Sequence, residues 1–64
     1  MTEKELLYVE DAIGHETNII SIIKDSIKNM KNEDLISFLE SEIEIHTKTK
    51  ESLITKLEEK SNEW

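Results

Sequence analysis

Apolar residues recur at three- and four-residue intervals through each half of the chain, and the pattern breaks between Met30 and Leu35. In the first half, Leu6, Val9, Ile13, Ile20, Ile23, Ile27 and Met30 share one stripe of a 3.6-residue helix. Such a stripe is a seam that packs along its length against another helix. Ala12, Ile19 and Ile22, joined by Tyr8, widen the arc on one flank, enough to touch a second neighbour. In the second half the seam runs Leu35, Leu39, Leu53 and Leu57, flanked by Ile36, Ile43 and Ile54 on one side and Phe38 on the other. Turn-rich β architectures need Gly and Pro, and here Pro is absent and Gly occurs once, at Gly14. The fold class read from this pattern is all-α.

The break falls at Asn29-Met30-Lys31-Asn32-Glu33-Asp34. Asn32 suits the N-cap of a second helix, and Glu33 and Asp34 suit the positive end of its dipole. The pattern predicts helix one over about residues 3–30, a turn over about 31–33 and helix two over about 34–60, in a single domain spanning 1–64. So short a connection makes the helices antiparallel. The tail Lys60-Ser61-Asn62-Glu63-Trp64 has lost the period and is expected to fray, with Trp64 either a loose end or a late contact onto a partner.

Two antiparallel helices make one layer and leave half of each apolar arc wet, and helical stability comes mainly from burying such faces. With 64 residues and no Cys, neither a large core nor a disulfide can compensate. The expected architecture is therefore an antiparallel two-helix hairpin that dimerises about a two-fold axis into a four-helix bundle. Gly14, with Asn18 and Ser21 nearby, lies on the back of helix one. It is either a place where a further helix approaches, giving a tetramer, or a tolerated residue.

The net charge of −7, from 15 acidic and 8 basic residues, leaves no clustered positive footprint for nucleic acid or an anionic membrane. No apolar run approaches the length of a membrane span. The opening Met-Thr-Glu-Lys-Glu has neither the basic stretch nor the apolar run of a signal peptide, so the expected location is cytoplasmic. Catalysis finds no motif: there is no Cys, no nucleophile elbow and no glycine-rich phosphate loop.

Polar residues interrupt the seams at Glu16, between Ile13 and Ile20, and at Glu42 and His46, between Leu39 and Leu53. Folding the hairpin about Lys31 and Asn32 brings Glu16 level with His46, with Glu42 one turn nearer the loop. Two copies would gather two of each near one level, the ligand inventory of carboxylate-bridged di-iron bundles. Those bundles use Glu-x-x-His, whereas Glu42 and His46 are four apart and Ile43 stands three before His46. The other reading is a Glu16–His46 pair that fixes register and binds nothing. His15, one turn after Asp11, is expected in a surface Asp–His pair, and Glu44–Lys48 in an exposed ion pair.

The segment Leu6-Leu7-Tyr8-Val9-Glu10-Asp11-Ala12-Ile13, followed by His15-Glu16, resembles the first helix of small ferritin-like proteins related to the spore coat of endospore-forming bacteria. Asp34-Leu35 through Phe38-Leu39-Glu40 to His46 looks like their second helix. The resemblance implies a ferritin-like bundle completed by association, a coat-associated structural role, and Glu16, Glu42 and His46 as ligands of any metal. Two expectations follow. One is a self-associating structural or interaction protein, spore-associated by this resemblance. The other is a metal-binding, di-iron-type bundle holding iron or another divalent ion on Glu16, Glu42 and His46.

Overall fold

The structure, a computed structural model, describes residues 1–61. Asn62, Glu63 and Trp64, and with them the expected partner contact of Trp64, lie outside the described residues. The chain forms two helices, α1 over Glu3–Ile27 and α2 over Glu33–Ser61, packed against each other as a hairpin. Lys60 and Ser61, expected to fray, continue α2.

Helix α1 starts on a reciprocal cap. Thr2 Oγ1 accepts from the Glu5 backbone N–H at 3.1 Å, and Glu5 Oε1 accepts from the Thr2 N–H at 2.7 Å. Two of the orphan donors of the first turn are thereby satisfied. Helix α2 starts on Asn32, whose Oδ1 accepts from the Leu35 N–H at 3.0 Å, the cap expected from its place before Glu33 and Asp34.

The turn differs from expectation: α1 stops at Ile27, and residues 28–32 connect the helices. Tighter bonds, from Asn29 N–H to the Ser26 carbonyl and from Met30 N–H to the Ile27 carbonyl, close the last turn. Met30 remains half-buried past the helix end, so the apolar period recorded burial there rather than helix. No residue of the turn has a positive φ, which is why it forms without glycine.

The seam of α1 is as expected, with Leu6, Val9, Ile13, Ile20, Ile23 and Ile27 half-buried. That of α2 is rotated. It passes through Ile36, Leu39, Ile43, His46, Lys50, Leu53 and Leu57, all half-buried, at an unbroken three-four spacing. Leu35, expected in the seam, and Phe38, expected on its flank, stand outside the hairpin's own contact, at 51% and 60% exposure. The reason is Lys50. Lys50 is half-buried in the stripe and hides the period, since a lysine can cover apolar surface with its alkyl stem and still keep its ammonium in water. Among the described residues no side chain is buried. The radius of gyration is 14.9 Å, against about 11 Å for a compact globule of this length.

Thr2, through its backbone N–H and then its side chain, holds the Glu5 carboxyl below the ordinary 4.5 of a glutamate. A carboxyl held low in the folded state stabilises above its unfolded value, and that contribution fades as pH falls through the folded one. The amide bonded to that carboxyl is Thr2's, so hydrogen-exchange protection of the Thr2 amide should decline as pH drops below 4.5, whereas the Glu5 amide, bonded to the Thr2 hydroxyl, should lose its protection in Thr2→Ala. Unchanged protection across that range would contradict the cap. A Cβ added at Gly14 would meet nothing within 4 Å, so Gly14→Ala should raise stability by about 1 kcal/mol in thermal or urea unfolding.

Candidate functional site

Near the middle of the hairpin the seam turns polar. Helical spacing places Glu42 and His46 one turn apart on α2, and the antiparallel register sets His46 opposite Glu16 of α1. His46 Nδ1 lies 2.5 Å from Glu16 Oε2, and His46 Nε2 lies 3.8 Å from Glu42 Oε2. The first is a short hydrogen bond, in which we assign Nδ1–H as donor and the carboxylate as acceptor. The second exceeds hydrogen-bond range and is an ion-pair contact when the ring is charged. The Glu16, His46 and Glu42 side chains are 17%, 26% and 32% exposed. Along the seams Ile13 and Ile20 flank Glu16 on α1, and Ile43 precedes His46 on α2, all half-buried.

The three residues singled out in the sequence are thus brought together in one chain, but not as converging ligands. One ring nitrogen is hydrogen-bonded to Glu16, and the other faces Glu42 from beyond hydrogen-bond range. Among the described residues no group of three or more His, Cys, Asp or Glu side chains is disposed to hold a metal ion. What one chain offers is a partial motif: a histidine oriented through Nδ1 by Glu16, with Nε2 turned toward Glu42.

Lys50 extends the polar stretch on the far side of His46. The sequence reading missed it, although the interval from Leu39 through Ile43 and His46 to Leu53 passes through position 50. Its side chain lines a shallow groove with Thr17, Ile20, Ser21 and Lys24. The expected surface pair of Asp11 and His15 is not formed within ion-pair distance, and His15 is exposed. Glu44 and Lys48 do pair, at 3.3 Å on the exposed face, a contact worth little. Comparison with family models, curated proteins and solved structures found no match to this chain.

The Glu16–His46 contact joins two polar groups in a mostly apolar seam. Truncating one partner strands the other, at a cost of about 1–3 kcal/mol. Replacing both with a matched apolar pair removes that penalty. His46→Leu alone should therefore lower the urea midpoint, whereas the double variant Glu16→Leu, His46→Leu should be at least as stable as the parent. A double variant as weak as the single one would show that the pair itself supplies net stability.

Proposed function

We propose that this chain is a structural protein whose working form is an assembly of hairpins, with a second copy covering the outer apolar face of the first to complete a four-helix bundle. The observation that supports this is the want of any buried side chain among the described residues, combined with a second apolar stripe on each helix. At 100° per residue, Tyr8, Ala12, His15, Ile19 and Ile22 form that stripe on α1. Leu35, Phe38 and Ile45 form it on α2, interrupted by Glu42. Ile22, Leu35, Phe38 and Ile45 are each more than half exposed.

Area favours a second copy as the occupant. The chain exposes 5036 Å² at 7.5 kDa, whereas a folded monomer of that mass exposes about 4,250 Å². The excess, about 800 Å², is what one partner of a standard-sized interface covers. The stripes also repeat every three or four residues on both helices, so each hairpin carries the pattern its partner requires. The likeness of both helices to spore-coat-related ferritin-like hairpins agrees with an assembling role, in the cytoplasm or in the spore. Among the described residues no helix is long and apolar enough to cross a membrane.

A second reading is that the assembled bundle holds a divalent metal on Glu16, Glu42 and His46. The orientation of His46, with Nδ1 fixed by Glu16 and Nε2 facing Glu42, favours it. Elemental analysis of the purified protein separates the readings: iron or zinc in proportion to chains, lost in His46→Ala, supports the metal, and a metal-free bundle that takes up neither ion excludes it.

Sedimentation should give a mass of at least two chains, and Phe38→Glu should reduce both that mass and the helical circular dichroism. A charge in the middle of the seam, as in Ile20→Asp, should unfold the protein altogether. A fully helical protein sedimenting as a single chain would sink the proposal.

A further inference from the structure

The chain carries 15 acidic residues against 8 basic ones, so a lysine without a carboxylate is the exception that needs a reason. Lys28, Lys48 and Lys56 pair with Asp25, Glu44 and Glu59. Lys24 and Lys50 form no ion pair among the described residues, and these two line one groove, with Thr17, Ile20 and Ser21. Lys50 is half-buried, and a cation partly withdrawn from water without a counter-charge is costly.

Helical geometry explains why the two meet. Long side chains lean toward the N-terminus of their own helix. Lys24 leans along α1 toward Ile20, and Lys50 leans along α2 toward His46, which stands opposite Glu16. In an antiparallel hairpin these directions converge on the stretch from Thr17 to Ser21. The groove there, of about 270 Å³, is rich in donors: two ammoniums with three N–H groups each, and the Ser21 hydroxyl. Ser21 has no hydrogen-bond partner for that hydroxyl among the described residues, whereas Thr17 already donates to the Ile13 carbonyl at 3.0 Å. The nearby carboxylates are engaged elsewhere, Glu16 by His46 and Asp25 by Lys28. At 100° per residue, Thr17, Ser21 and Lys24 fall on the flank of α1 opposite Ile19 and Ile22, so covering the outer apolar face leaves this groove open.

We propose that this groove binds a phosphate group, held between Lys24 and Lys50 with the Ser21 hydroxyl as a third donor. Two positive charges and a surplus of donors favour a dianion with several acceptor oxygens over chloride or a single carboxylate, and lysine serves phosphate as a point charge. The net charge of −7 repels anions at a distance, but exposed charges more than about 8 Å away are largely screened at physiological salt. The two ammoniums therefore set the local field. The site is complete within one chain and stands apart from the assembly proposed above.

The test is a titration of the isotope-labelled full chain with inorganic phosphate, followed by the amide resonances and compared with sodium chloride at matched ionic strength. Phosphate should give saturable shifts centred on Thr17, Ser21, Lys24 and Lys50, and chloride should not. Lys50→Met keeps the apolar stem and removes the charge, and Lys24→Gln changes an exposed side chain, so the second variant carries the test even if the first disturbs folding. Each should weaken phosphate binding about tenfold or more, the loss of one charge-assisted hydrogen bond. Lys31→Gln, at an exposed lysine of the connection, should leave binding unchanged. Glycerol 3-phosphate as a second probe tells the sources apart: binding at least as tight as that of the free ion assigns the groove to a phosphate carried on an organic molecule, and weaker binding assigns it to the free ion. Shifts equal in phosphate and chloride, or saturable binding that survives both Lys24→Gln and Lys50→Met, overturn the site.

Discussion

Two helices in contact meet along a line, and a line cannot enclose anything. Each helix shields one stripe of its neighbour, and the remainder of both stays in water however well the stripe is packed. Every feature of this hairpin is shaped by that limit. Its seams are regular, its helices are 25 and 29 residues long and one end of each is capped by a side chain, yet no described side chain is buried. Local devices of this kind contribute about 1 kcal/mol each, and none substitutes for a core. The apolar residues left outside, Phe38 and Ile22 foremost, are therefore the part of the structure that needs an explanation, and the proposed assembly of hairpins would supply it.

The polar cluster in the seam follows the opposite logic. Glu16 and His46 occupy positions where isoleucine would pack better, and the pairing of two such groups is not a strong source of stability. Its physical value is positional. An all-isoleucine seam can slide by a turn with little penalty, whereas a histidine that finds its carboxylate in one register and a wet or apolar neighbour in the next cannot. Glu42, within ion-pair reach of the same ring, reinforces that preference from α2 itself.

The helices, their antiparallel pairing and the meeting of Glu16 with His46 were legible in the sequence because each rests on helical periodicity and on counting from the turn. The rotation of the α2 seam was not. Leu35 and Phe38 look like core residues by chemistry, and Lys50 looks like a surface residue, but position outweighs chemistry in a stripe: Lys50 is half-buried and Phe38 is largely exposed. The early end of α1 was equally hidden, since Met30 keeps the apolar spacing after the helical hydrogen bonds have ceased. The Thr2–Glu5 cap, by contrast, was present as a Thr-x-x-Glu signature. What escaped sequence reading is the side of the hairpin on which each flank falls, which depends on the relative rotation of two helices.

Under the proposed assembly, the emptiness of the hairpin's interior would tie the protein's existence to its abundance. Where folding is completed only when two copies meet, the association constant enters the stability itself, and each tenfold dilution removes about 1.4 kcal/mol. A chain of this kind is folded where it is plentiful and unfolded, hence open to proteolysis, where it is scarce. Stray copies would then be cleared while concentrated ones persist, a threshold response that would require no regulator beyond the shortage of buried surface in a single chain.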